Sequence, residues 1–206
     1  MTISREAIER VQGHNIWDFG NRILYEMCKK APLHVNEDEI VGKVWLIGRS
    51  YAAAIERGAN HTGDSFYTEH VAKKIKAVGT ELDRRIAALQ GHCKVSKEIL
   101  SEIVETHRFL TKVFSGISGK INRSLASKYL HFHLPNIFYI YDSRSIDGVT
   151  NLKSLDKALK KELLKYDSDG SYVDFVAKIY PLNVRIHEEH GIWLTPRELD
   201  ALLLDY

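Results

Sequence analysis

Only four prolines interrupt this chain of 206 residues, at Pro32, Pro135, Pro181 and Pro196. Proline removes a backbone donor and clashes with the preceding helical turn, so proline-poor chain is free to wind into long helices. Apolar residues in the proline-free intervals recur every three or four positions, the period of a helix with one buried face. The pattern predicts helices over about 3–11 and 15–30, the second with Ile16, Phe19, Ile23, Leu24 and Met27 as its apolar stripe. Asn36 with Glu39 reads as a capping box opening a helix over about 37–57, and further helices follow over about 64–90, 96–115 and 122–133. Beyond these come Leu152 to Tyr166, a helix over about 171–190 that Pro181 should kink or split, and a last helix opened by Thr195-Pro196-Arg197-Glu198. Phe138-Tyr139-Ile140-Tyr141 has strand-like composition, but four residues make no sheet alone. The expected fold is all-α, with about ten helices.

The length suits one large domain over 1–206, or two small lobes sharing a core, and a hydrophobic content of 44% against 27% charge is ordinary for a globular protein. The formal net charge of +2 leaves room for a local basic face without announcing nucleic-acid binding. Cys28 and Cys93 have no metal-type spacing, and two cysteines point to a reducing compartment. With no apolar run of membrane length and no signal-peptide pattern, the expected location is the cytoplasm.

The stretch from Leu125 to Arg144 constrains chemistry most. A helical segment ends at Pro135, the aromatic run Phe138-Tyr139-Ile140-Tyr141 follows, and it stops on Asp142. A carboxylate there either caps a helix beginning near Ser143 or does chemistry, or both. Upstream, Phe114-Ser115-Gly116-Ile117-Ser118-Gly119-Lys120 places two glycines around a short loop between helices. Such a hairpin can hold a phosphate through backbone N–H groups and a helix N-terminus.

Taken together, Gly116 to Asp142 resembles the helix-hairpin-helix DNA glycosylase superfamily, nearest its 8-oxoguanine glycosylase branch. The residues that carry the likeness are the glycine hairpin, then Ala126, Ser127, Tyr129, Leu130, Ile140 and Asp142, about 30 residues in all. The resemblance implies a two-lobed helical fold and a catalytic Asp142, with duplex DNA carrying a modified base as partner and no cofactor or metal. It implies DNA contact through Gly116, Ser118, Gly119, Lys120 and Arg123, with Arg144 beside the flipped nucleotide. The family's lyase lysine has three candidate positions here. Lys120 fits counting forward from Gly116, Ser124 counting back from Asp142, and Lys128 lies one helical turn further on. A carboxylate suits the chemistry, because breaking an N-glycosidic bond passes through an oxocarbenium-like state that an anion stabilises. An oxidised purine, or another modified base such as one from phage DNA, is the expected substrate. The competing expectation is a non-catalytic nucleic-acid-binding or protein-interaction module in which Asp142 only caps a helix.

Trp45, Arg49, Ser50 and Tyr51, with Tyr141, are the candidate walls of a pocket for an extruded base. Their structural alternative is a tight helix contact in which Arg49 pairs with an acid. His131 and His133 fall on different helix faces, and His187 and His190 lack the zinc-protease spacing, so all four read as surface or packing residues. The lysines at 73, 74 and 76, and at 153, 157, 160, 161 and 165, read as solvated helix faces. Oligomeric state leaves no mark in the sequence.

Overall fold

A computed structural model describes residues 3–59, 63, 65–152 and 155–205. Lys153 and the first residue of the helix expected over 64–90 lie outside the described residues. The described residues form eleven α-helices and no strand. In chain order these are α1 (Arg5–Gln12), α2 (Asp18–Lys30), α3 (Glu37–Ser50), α4 (Lys73–Ala77), α5 (Gly79–Leu89), α6 (Leu100–Ser118), α7 (Arg123–His133), α8 (Ser143–Asn151), α9 (Lys157–Leu163), α10 (Gly170–His190) and α11 (Pro196–Leu203). None of them is long and apolar enough to cross a membrane.

The long α6 supplies much of the core through Leu100, Ile103, Val104, Leu110 and Phe114, all fully or almost fully buried. It packs against α5 and α7, while α8 packs against α10 and α11. The chain ends meet through α1 and α11, tied by Arg10 Nη2 to Asp205 Oδ2 at 2.6 Å.

Four local expectations are corrected. The first concerns α2, whose buried side carries Asn21, Leu24 and Cys28, whereas Ile16, Phe19 and Ile23 face solvent. Two apolar stripes run along this segment, and the core chose the one that includes an asparagine. The second concerns α3, which stops at Ser50 rather than continuing to 57. The chain turns back so closely that a Cβ on Gly48 would meet Ala54 Cα at 3.2 Å, and Ala53 N donates to Gly48 O at 2.8 Å. Ala52 takes a positive φ of 52° to make that turn. The Asn36 side chain, moreover, makes no capping bond.

Third, the helix expected over 64–90 divides into a wide-turned segment at Phe66–Ala72, then α4, a break at Val78, and α5. Fourth, Pro181 sits inside an unbroken α10. The reason is visible in the backbone. Proline cannot donate to the carbonyl four residues earlier, at Ala177, and that oxygen instead accepts from Asp156 N at 2.9 Å. The proline therefore ties the start of α9 to α10. At Thr195, by contrast, the expected capping box is present, with Pro196 at the first helical position.

Candidate active site

The hairpin between α6 and α7 positions everything that follows. α6 runs through Gly116 to Ser118, so Gly116 is an exposed helical residue and not part of the loop. Gly119 ends the helix at φ 74°, a left-handed conformation that costs glycine least. Ser118 is buried, and its Oγ accepts from Lys120 N at 3.2 Å and from Asn122 Nδ2. It shapes the turn from inside. Lys120 stays exposed on that turn. Arg123 is engaged elsewhere: its Nε donates to Asp169 Oδ1 at 2.6 Å, and the same oxygen caps α10 by accepting from Ser171 N and Tyr172 N.

One helical turn beyond Ser124, the buried Lys128 reaches Asp142. Nζ lies 3.2 Å from Asp142 Oδ2, with the lysine side chain 3% and the aspartate 27% exposed. The same Nζ donates to Ser124 Oγ at 3.0 Å and approaches Tyr51 O at 3.4 Å. It also lies 5.4 Å from the centre of the Tyr51 ring. Ser127, on the same helix, anchors the approach to Asp142: its Oγ accepts from Tyr141 N at 3.0 Å.

Asp142 is the N-cap of α8. Its Oδ1 accepts from Ser145 N at 3.0 Å and from Ser145 Oγ at 3.2 Å. Burial pulls this carboxyl upward, but the Ser145 amide and Lys128 outweigh it and hold the group below the usual carboxylate range. Asp142 is therefore ionised at neutral pH. Behind it lies Asp200, whose Oδ1 lies 2.6 Å from Ser145 Oγ and whose Oδ2 is held by Arg197 Nη1 at 2.8 Å. Burial pushes the Asp200 carboxyl up, and the nearby Asp142 charge adds to that. Capping and chemistry are not exclusive here: one oxygen of Asp142 caps the helix and the other meets a lysine.

The residues proposed from sequence separate into groups. Tyr51 joins the Lys128–Asp142 pair; burial pushes its hydroxyl up to about 12, and it donates to Asn21 Oδ1 at 2.6 Å. Arg49 pairs with Glu56, which also accepts from the Tyr67 hydroxyl, so the acid-paired alternative describes it. Trp45 and Ser50 are exposed, as is Arg144 at the start of α8. Tyr141 faces a different cleft, of about 340 Å³, with Ile146, Phe175 and Lys178. Its ring stands edge-on to Phe175 at 5.4 Å.

Sequence reasoning missed Ser145, Asn21, Arg197 and Asp200. Asn21 had one signal: it lies in phase with Leu24 and Cys28, a polar side chain on a face that must be buried. His131, read as surface or packing, is fully buried, with Nδ1 3.0 Å from Phe138 O and Nε2 2.8 Å from the Tyr25 hydroxyl. Among the described residues, no cluster of three or more His, Cys, Asp or Glu side chains is placed to hold a metal ion. Comparison with family models, curated proteins and solved structures finds no match.

Proposed function

We propose that this protein is a DNA glycosylase of the helix-hairpin-helix type, with Asp142 as its catalytic carboxylate and Lys128 as its partner. The observation that carries the reading is the 3.2 Å Lys128–Asp142 contact at the N-terminus of α8, one face of it open to solvent. An ionised carboxylate fixed by a helix N-terminus is suited to stabilise positive charge on a deoxyribose ring. In the hydrolytic step the C1′–N bond breaks, its electron pair leaves with the base, and the base takes up a proton. Water adds at C1′ and gives its proton to Asp142, leaving an abasic site. The hairpin at Gly119 and Lys120 supplies the phosphate contacts, and the expected substrate is duplex DNA carrying a modified base.

Of the three lysine positions the sequence leaves open, Lys128 is the one in contact with Asp142, and Ser124 serves it as an acceptor. This favours a lyase variant in which Nζ gives a proton to Asp142 and attacks C1′ as the C1′–N bond breaks, the electron pair leaving with the base, which takes up a proton.

Incubating the protein with duplexes that each carry one modified base, and scoring alkali-labile sites, tests the reading. Abasic sites on at least one duplex are expected, and borohydride trapping of a covalent complex lost in Lys128→Gln identifies the lyase variant. A complete absence of abasic product across oxidised, deaminated, alkylated and phage-type bases would leave the binding-module reading in its place.

A further inference from the structure

Helix α2 buries one face and leaves a second apolar face in water. Ile16, Phe19 and Ile23 follow the spacing of one side of a helix, and they are 83%, 66% and 52% exposed. Trp17, 65% exposed, stands at the same end. Large side chains this exposed offer together on the order of 500 Å² of apolar surface, the upper part of what a monomer usually leaves in one patch. A homodimer interface is about 65% apolar, so a patch of that size with a charged rim makes about 800 Å² per protomer, which is what a standard stable interface needs.

The charges beside the stripe say which partner fits. Asp18, Arg22, Glu26 and Lys29 are all exposed and run along one flank of it, in the order acid, base, acid, base. Reversed, that order is its own complement. A second α2 packed antiparallel about a two-fold axis keeps the same flank on the same side. Asp18 of each copy then meets Lys29 of the other, and Arg22 meets Glu26. A parallel copy would set each charge against its own kind. Within the chain these groups are lightly engaged. Glu26 Oε1 is 4.0 Å from Lys29 Nζ, the Arg22 guanidinium lies over the Phe19 ring at 5.4 Å, and Asp18 Oδ2 accepts from Asn15 N at 2.7 Å.

Gly20 fits the same partner. It borders the stripe, three residues before Ile23, in a helix that glycine weakens. Nothing in the fold crowds it: a Cβ there would meet no described atom within 4 Å. In the register that pairs Asp18 with Lys29, Gly20 lies opposite the half-buried Met27 of the other copy, whose unbranched side chain suits such a notch. We propose that the protein is a homodimer through α2, the two copies packing antiparallel with Ile23 near the two-fold axis and the Asp18–Lys29 and Arg22–Glu26 pairs closing one side. This stands independently of the glycosylase reading.

Sedimentation velocity on the wild-type protein between about 1 and 100 μM tests it. A species of twice the chain mass should dominate at the upper end. Ile23→Lys and Gly20→Gln, both at exposed positions, should each raise the dissociation constant at least about 100-fold, with circular dichroism unchanged. Arg22→Glu sets like charges against each other across the pair and should weaken the dimer about tenfold. Adding Glu26→Arg should restore it, because the two positions exchange sign together. A protein still monomeric at about 100 μM would overturn the proposal, and flotation of that monomer with phosphatidylcholine vesicles would give the stripe to a lipid surface. A dimer indifferent to Ile23→Lys and Gly20→Gln would overturn it equally. A dimer that Arg22→Glu weakens and Glu26→Arg does not restore would overturn the antiparallel register.

Discussion

Lys128 and Asp142 illustrate how far a single residue can be read in advance. Asp142 was legible because it closes an aromatic run, where a charge needs a reason. Its cap and its lysine contact then use different oxygens of the same carboxylate. The identity of the lysine was not legible, because counting along the chain cannot say which side chain a helix turns inward. Burial and contact separate the candidates: Lys128 is almost fully enclosed against Asp142 while Lys120 is in water. Replacing Lys128 by Met would leave Asp142 and Ser124 without their partner, and should cost about 2 kcal/mol in chemical denaturation, since one side of the pair is exposed and can recover water. A change within a few tenths of a kcal/mol would mean that the pair is not a stabilising contact. For Asp142 the sign of the pH effect follows from its lowered value. The carboxylate remains charged as pH falls past the ordinary 3.8, so its own protonation does not limit activity in mildly acid solution.

Helices were mostly legible and their ends were not. Period and proline spacing marked α6 and α11 because their apolar faces are largely their buried faces, whereas α7 is buried all round from Leu125 to Phe132. The end of α3 depends on Gly48 meeting Ala54, a close approach that no local signal announces. In α2 two apolar stripes competed, and the one that includes Asn21 was buried while Ile16, Phe19 and Ile23 stayed exposed. Helix α8 aims Asp142 and is seated by Gly148, where a Cβ would meet Leu203 O at 2.1 Å. Gly148→Ala should therefore push α8 away from α11 and destabilise the fold by about 1–3 kcal/mol. If thermal denaturation shows no loss, the α8–α11 contact is looser than described. At the α6–α7 hairpin, Arg123 is a poor probe of DNA contact because its removal exposes the Asp169 cap of α10. Lys120→Ala is the cleaner variant. It should weaken duplex binding for all sequences and reduce the salt slope by about one unit. An unchanged slope in fluorescence anisotropy would take the hairpin out of the interface.

Across the whole molecule, the histidines set the acid limit. His107 and His131 are fully buried and lowered to about 4, mainly by burial, and burial lowers His34 and His133 as well. Each is neutral in the fold but takes a proton near 6.5 when unfolded. For His107 and His131 the unfolded chain binds more protons between those values, so stability declines as pH falls from about 6.5 towards 4, by up to about 1.4 kcal/mol per pH unit for each of the two, and His34 and His133 act in the same direction. Activity and intrinsic fluorescence should accordingly be lost together on the acid side. Activity that falls first, in protein still folded, would assign a catalytic role to a group other than Asp142. None of this was visible in the sequence, where a buried histidine and a surface histidine look alike. The all-helical architecture was visible, because it is written in spacing along the whole chain.

The most direct measurement is single-turnover formation of abasic sites by wild type and Asp142→Asn on the same modified duplex. Asparagine caps a helix as well as aspartate does, so α8 should keep its place while the charge is lost. The account predicts a rate at least about 100-fold lower for Asp142→Asn, with duplex affinity retained. Equal rates in the two proteins would contradict it.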